Sequence, residues 1–173
     1  MQERGTAPAL SAPERALGAR RVVVALAAAA LVVAADQATK SWAVHRLSQG
    51  PIHLVWKLDL ALSYNTGSAF GLAQGWAPVL GAAAGFIVVA LLAVLRGVRR
   101  WPMALALGLV LGGALGNLAD RVLRGHHGAV VDFVALHFWP TFNVADSCIV
   151  VGVALAVVLS WGDERGRARL PSE

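Results

Sequence analysis

The sequence predicts an all-α membrane protein with four transmembrane helices and a small extracytoplasmic β-like cradle among its connecting loops. Of its 173 residues, 57% are hydrophobic and 14% are charged, and the mean hydropathy is +0.63. This composition favours a membrane protein over a soluble domain. Apolar stretches of near-bilayer length predict the helices, and separated arginine clusters predict their orientation.

Four apolar segments are predicted to span the membrane. The first covers residues 22–35 and can continue as a helix through "DQATKSWAV" to residue 44. The second, residues 76–95, is an uninterrupted apolar stretch of the length that a bilayer core needs, and the third, residues 101–116, is shorter. The fourth covers residues 142–161 and is apolar apart from a few polar side chains.

The arginines orient these spans. Ten of the 15 basic residues precede span one, join spans two and three, or follow span four: Arg4, Arg15, Arg20, Arg21, Arg96, Arg99, Arg100, Arg165, Arg167 and Arg169. The positive-inside rule then puts both termini in the cytoplasm and residues 41–75 and 120–141 outside. We expect residues 1–18 to be a disordered cytoplasmic tail, 19–162 the membrane domain, and 163–173 a second cytoplasmic tail.

The first outer loop carries a weaker pattern. Within residues 45–75, the stretch "IHLVWKLDLALSY" alternates partially between apolar and polar positions, which predicts a small sheet or cradle over a site. The following "TGSAFG" contains Ser68, but it does not form the G-x-S-x-G pattern of a serine nucleophile. Its glycines indicate a tight turn or a close approach of the backbone.

Two other interpretations of the composition are weaker. Arg20 and Arg21, a short apolar core and "VAA" resemble a cleavable secretory signal, but removing that segment would leave an odd number of spans. The high isoelectric point suggests nucleic acid, yet the arginines form no basic face with interleaved aromatic residues. Cys148, the single cysteine, lies in an apolar run and is expected to serve packing.

Acidic residues are concentrated near the predicted outer boundary. Four aspartates fall there: Asp36, Asp120, Asp132 and Asp146. An acid at the centre of a membrane helix costs roughly 2.5 to 3.5 kcal/mol on insertion scales, so several together indicate a polar site. The motif "NLADR" adds Asn117 and Arg121 on the same helical face as Asp120.

Each of these residues also has a structural interpretation. Asn143 can cap the fourth helix, with Asp146 favouring its positive end. Asp120 and Arg121 can form a solvated interfacial pair, and Asp132 can simply end a turn. These alternatives remain open from the residues alone.

Other chemistries fit less well. The five histidines lie outside the apolar runs, which disfavours a haem between helices, and no HExxH motif indicates a zinc protease. A small proton-coupled carrier would also use membrane acids, but near the midplane rather than at one end. A noncatalytic membrane scaffold would explain the spans but not the clustered aspartates and asparagines.

Five motifs occur in an order that resembles the lipoprotein signal peptidases, or signal peptidase II. They are "DQATK" (36–40), "NTGSAFG" (65–71), "GNLADR" (116–121), "GAVVDF" (128–133) and "FNVAD" (142–146). The resemblance covers about residues 20–161. It implies an aspartyl endopeptidase of the bacterial cytoplasmic membrane that removes signal peptides from prolipoproteins, cutting before the lipid-modified cysteine.

The resemblance also implies roles for single residues. Asp132 and Asp146 match the catalytic dyad, and eight others match binding or supporting positions: Asn65, Gly67, Asn117, Asp120, Arg121, Asn143, Asp36 and Lys40. Either Gly125 or Gly128 can match the glycine of the fourth motif. The implied partners are diacylglyceryl-modified prolipoproteins and membrane lipid, not nucleic acid. The implied enzyme is a monomer without cofactor or metal, with its site near the outer face.

Such a dyad has a simple physical basis. Two carboxylates at hydrogen-bonding separation cannot both be ionised cheaply, so the pair shares a proton. One member can take a proton from the attacking water while the other polarises the scissile carbonyl.

Overall fold

The computed structural model describes residues 12–67 and 77–167, and the side-chain surroundings of residues 16–67 and 78–161. Ser68 and the ends of both predicted tails lie outside the described residues. The elements in chain order are α1 (Ala12–Leu47), β1 (Ile52–Val55), β2 (Leu58–Asn65), α2 (Ala77–Leu95), α3 (Trp101–Leu123), β3 (Val130–Leu136), β4 (Trp139–Phe142) and α4 (Val144–Arg167).

The described residues contain four helices that are long and apolar enough to cross a membrane, as predicted. Their apolar spans are Ala16–Leu47, Pro78–Leu95, Trp101–Leu123 and Val144–Trp161. The third is longer than expected because the helix continues through "NLADRVL" after residue 116. The polar side chains of this extension contact polar groups of other elements, so they do not end the helix.

The first and last helices extend into the two predicted tails. Helix α1 begins at Ala12, so residues 12–18 are helical rather than disordered, and α4 continues past residue 162 to Arg167. Alanine, leucine and arginine are strong helix formers, and lengthening an existing helix avoids the cost of nucleation. The helices therefore extend beyond the apolar stretches that define the spans.

Helix α3 packs between α1 and α4, and small residues allow this close packing. A Cβ atom on Gly112 would lie 2.7 Å from the carbonyl oxygen of Ala29 in α1. On another face, a Cβ on Gly113 would collide with the carbonyl oxygen of Ala145 in α4. Close backbone approach at small residues is typical of packed membrane helices. The tight packing brings together the C-terminal ends of α1 and α3 and the N-terminal end of α4.

The strands form one antiparallel sheet in the order β1-β2-β3-β4. The sheet predicted between the first two helices is confirmed, but β3 and β4 were expected only as an outer loop. Pro140 within β4 obscured this hairpin, and β4 is an edge strand, where proline is tolerated. The sheet packs on the end of α1 through Ala43, Leu47 and Phe133.

Candidate active site

Asp132 lies in the middle of β3, opposite Ser63 of β2. Its side chain is buried, with 2% of the residue exposed. Its Oδ2 accepts a hydrogen bond from Asn65 Nδ2 at 3.1 Å, and its Oδ1 accepts one from Asn143 Nδ2 at 2.6 Å. The Gly67 amide donates to Asn65 Oδ1 at 2.8 Å and so orients that side chain toward Asp132. The interpretation of Asp132 as the end of a turn is wrong.

Asp146 lies in the first turn of α4 and takes part in a reciprocal cap. Its backbone N–H donates to Asn143 Oδ1 at 2.9 Å, while the Asn143 N–H donates to Asp146 Oδ2 at 3.1 Å. This is a capping-box arrangement, so the predicted helix cap is confirmed. The other oxygen of the Asp146 carboxylate, Oδ1, accepts a hydrogen bond from Asn117 Nδ2 at 2.8 Å. The cap therefore fixes the orientation of Asp146 as well as the helix start.

Asn143 connects the two aspartates. Its side-chain nitrogen donates to Asp132 Oδ1, and its backbone and side chain hold Asp146. The same nitrogen also lies 3.2 Å from Asn117 Oδ1 and 3.3 Å from the Val131 carbonyl oxygen. Asn143 is fully buried, so these contacts are shielded from water. The structure thus brings Asp132 and Asp146 together through one shared asparagine.

A buried ion cluster lies beneath this pair. The Lys40 ammonium lies 2.9 Å from Asp36 Oδ2, 2.9 Å from Asp120 Oδ2 and 2.9 Å from Asn117 Oδ1, which matches its three donors. Lys40, Asp36 and Asp120 have no exposed area. The interpretation of Asp120 and Arg121 as a solvated interfacial pair is therefore wrong, because Asp120 is buried against Lys40.

The two carboxylates of this cluster also hold the backbone next to the pair. Asp36 Oδ1 accepts a hydrogen bond from the Ala145 N–H at 3.0 Å, and Asp120 Oδ2 accepts one from the Val131 N–H at 3.0 Å. Those residues immediately precede the two aspartates joined by Asn143. The cluster therefore fixes both strand β3 and the start of α4 at the points where they present their carboxylates.

Two residues of this network were not predicted from the sequence. Gln37 Nε2 donates to Asp120 Oδ1 at 2.9 Å and to Asp36 Oδ2 at 3.2 Å. Arg124 Nε donates to Asp120 Oδ1 at 2.8 Å, and its NH2 group donates to Gln37 Oε1 at 3.1 Å. The spacing of Asp120 and Arg124, one helical turn apart, is the signal that could have identified the arginine.

Arg121 lies at the edge of the site. Its guanidinium donates to the Gly128 carbonyl oxygen at 2.9 Å, and its charge lies within electrostatic reach of Asp132 and Asp146. Gly128 and Gly125 both have positive φ angles, 78° and 69°. Of the two candidate glycines, Gly128 contacts the site through Arg121. An added Cβ at Gly125 would meet open space.

The environment of Asp132 favours its protonated form. Burial raises the pKa of this carboxyl to about 6, and the nearby charge of Asp146 adds to the effect. Hydrogen bonds from Asn65 and Asn143 stabilise the charged form and offset part of the increase in pKa. The pair can therefore hold a proton at mildly acidic pH.

Two cavities of different character adjoin the aspartates. A polar cavity of about 310 Å³ is lined by Asp132 together with Asn65, Tyr64, Thr66 and Thr141. An apolar cavity of about 430 Å³ is lined by Asp146 together with Phe138, Trp139, Phe142, Val150 and Val151. Among the described residues, no three histidine, cysteine, aspartate or glutamate side chains converge in a way that could hold a metal ion.

The four helices and the linked aspartates define the class of the protein as a multi-pass membrane protein with a buried acidic site. Comparison with known protein families shows which family the chain belongs to. The family described as "Signal peptidase (SPase) II" matches residues 28–161. The chain therefore belongs to the signal peptidase II family of bacterial inner-membrane, lipoprotein-processing proteases.

Relatives and solved structures agree with this relationship. The chain is 41% identical over 156 residues to the lipoprotein signal peptidase of Streptomyces coelicolor, covering 87% of this chain and 76% of that one. It is 42% identical over 158 residues to that of Rhodococcus jostii, covering 88% and 80%. A solved chain described as "Bacterial membrane enzyme structure by the in meso method at 1.9 A resolution" superposes with a TM-score of 0.70 at 29% identity, covering 78% of this chain and 90% of that one.

Proposed function

We propose that this protein is an aspartyl endopeptidase that removes signal peptides from prolipoproteins by cutting before the lipid-modified cysteine. Asp132 and Asp146 are its catalytic pair. The observation that carries the proposal is Asn143, whose side chain donates to the Asp132 carboxylate while its backbone N–H donates to the Asp146 carboxylate, at the edge of two cavities. Family membership supports the substrate class, since the relatives are lipoprotein signal peptidases.

The chemistry needs one proton shared by the pair. The ionised carboxylate takes a proton from water as the water oxygen bonds to the scissile carbonyl carbon, while the protonated member hydrogen-bonds the carbonyl oxygen. When the C–N bond breaks, the leaving amine takes a proton from the pair. The raised pKa of Asp132, about 6, supports a pair that retains a proton at mildly acidic pH.

Supporting residues orient the acids rather than transfer protons. Asn65 and Asn117 each donate to one aspartate, and the Lys40 cluster fixes the backbone before both. Arg121 lies beside the pair, where its guanidinium can donate to a substrate carbonyl as it does to Gly128. A catalytic pair held in this way needs little rearrangement before reaction.

The two cavities match the two parts of a lipidated substrate. The polar cavity beside Asp132 adjoins strand β2 and offers backbone and amide groups to a peptide. The apolar cavity beside Asp146 is lined by aromatic and valine side chains and suits the diacylglyceryl group. In this arrangement the scissile bond lies between the cavities, next to both carboxylates.

We assign the site to the outer face of the membrane and both termini to the cytoplasm. Arg20 and Arg21 in the first part of α1, and the three arginines between α2 and α3, lie toward the helix ends opposite the aspartates. The positive-inside rule places those ends in the cytoplasm. Water can then reach the carboxylates from the outside while acyl chains stay in the bilayer.

The test is cleavage of a diacylglyceryl-modified prolipoprotein by purified Asp132→Asn and Asp146→Asn variants, with product masses measured. Both should lose about a hundredfold or more in rate, because an amide keeps the shape but cannot transfer the protons. Asp59→Asn is the matched control, since Asp59 lies in the sheet away from the pair and contacts His53 and His137. Near-normal cleavage by either well-folded site variant would refute the proposal.

A further inference from the structure

A second polar feature lies at the opposite end of the helices from the aspartates. Arg21 belongs to the first half of α1, and the helical rise of 1.5 Å per residue puts it about 22 Å from Asp36 along the axis. Trp101 at the start of α3 and the α2–α3 connection lie at the same end. The hydrocarbon core of a bilayer is about 30 Å thick. The apolar span of α1, Ala16–Leu47, is longer than that, so its first part meets the membrane boundary opposite the aspartates.

This end contains a cavity of about 460 Å³ that we name the basic cavity. Three arginines line it, Arg21 from α1 and Arg96 and Arg99 from the α2–α3 connection. The rest of its wall is glycine and aliphatic, including Gly97 and Val98. Among the side chains that the structure describes, no acid lines this cavity. Three cations from two chain segments therefore converge on one space.

Arg21 has an aromatic contact and one donor atom without a hydrogen-bond acceptor. Its guanidinium lies over the Trp101 ring, with its central carbon 5.8 Å from the ring centroid. Its Nε atom is buried and has no hydrogen-bond partner among the described residues. A buried donor without an acceptor is costly, and an arginine donor more so because it is charged.

Neither topology nor helix capping explains this arrangement. The positive-inside rule requires cations on one side of the membrane but not their convergence on a cavity. Stabilisation of the α2 C-terminus by nearby cations would involve Arg96 but not Arg21, which belongs to another helix. An anion bound in the cavity would explain why three arginines from two chain segments line it.

We infer that the basic cavity binds the phosphate of an anionic phospholipid headgroup, in the leaflet opposite the aspartates. The guanidinium fork suits phosphate oxygens, and basic pockets between membrane helices are typical headgroup sites. Apolar side chains at the same end, Leu17, Val94 and Trp101, are exposed and can contact the acyl chains. A free phosphate would use the arginines but not this apolar surface.

The experiment is native mass spectrometry of the purified full chain with phosphatidylglycerol, phosphatidylcholine of the same chain length, or inorganic phosphate. We expect one phosphatidylglycerol to be retained in preference to the other two. Arg21→Gln should weaken its retention by about tenfold, the effect of losing charge-assisted hydrogen bonds. Arg20→Gln is the matched control, because Arg20 is exposed on the same helix and does not line the cavity.

A second variant protects the test against a folding defect in α1. Arg96→Gln combined with Arg99→Gln leaves α1 untouched and should weaken phosphatidylglycerol retention at least as much as Arg21→Gln. Equal losses in Arg20→Gln and Arg21→Gln would overturn the inference, since they would reflect charge alone. So would equal retention of phosphatidylcholine, no retention of lipid, or binding of inorganic phosphate in place of lipid.

Discussion

Replacing Lys40 by methionine should strongly destabilise the protein. Methionine nearly matches the lysine stem in length, but it leaves Asp36 and Asp120 facing each other without their shared cation. Both carboxylates have no exposed area, and both lie 2.9 Å from the ammonium. Removing one partner of a buried ion pair costs about 3 to 5 kcal/mol, because the remaining charge stays buried. Asp120 keeps its contact with Arg124, whereas Asp36 loses its ion-pair partner.

The assay is thermal and denaturant unfolding of the purified variant in one detergent. For a chain of this size, that loss lowers the melting temperature by about 6 to 20 °C. Lys57→Met is the matched control, since Lys57 is exposed in the β1–β2 turn with its ammonium 5.4 Å from the Trp56 ring centroid. Loss of that exposed contact costs about 1 kcal/mol or less.

A double variant isolates the electrostatic cause. Asp36→Asn combined with Lys40→Met removes a negative charge together with the positive one, so it should recover part of the lost stability. Two results would refute the reasoning. The first is a free energy of unfolding of Lys40→Met that lies within about 1 kcal/mol of the Lys57→Met control, which is about one-third of the smallest expected loss. The second is no recovery of stability in the double variant. Either would mean that the buried contacts seen around Lys40 contribute little.

Three further predictions concern acidity, substrate positioning and helix packing. Asp146→Asn should lower the pKa of Asp132 below about 6, because it removes a neighbouring negative charge. An NMR titration of the Asp132 carboxyl that shows no decrease would contradict this. Arg121→Lys should slow prolipoprotein cleavage by about tenfold but leave residual turnover, because lysine keeps the charge without the planar fork; full activity would refute this. Gly112→Ala should destabilise the protein by about 1 to 3 kcal/mol in unfolding assays through its collision with α1, whereas Gly81→Ala, which meets open space, should not.

Features that depend on neighbouring residues could be predicted from the sequence alone. Span number followed from the lengths of apolar stretches, since each membrane helix must satisfy its backbone internally. The Asn143 cap followed from a three-residue spacing to Asp146, and the structure contains it. The five ordered motifs also indicated the family before any contact was known.

Contacts between segments that are distant in sequence could not be predicted in this way. Asn143 was predicted as a cap, but its bond to Asp132 depends on β3 lying beside the start of α4. Gln37 lies in α1, and its contact with Asp120 of α3 depends on how these two helices pack, whereas the Asp120–Arg124 contact lies within one helical turn. No local pattern encodes that packing.

The same reason explains the missed β3–β4 hairpin and the buried state of Asp120. A strand is stabilised by its partner, and β3 pairs with β2 across a long interval of sequence. Burial of an acid likewise depends on where its counter-charge lies, and Lys40 reaches Asp120 from another helix. Periodicity and spacing identify which residues are polar or apolar, whereas strand register and helix contacts decide which of them meet.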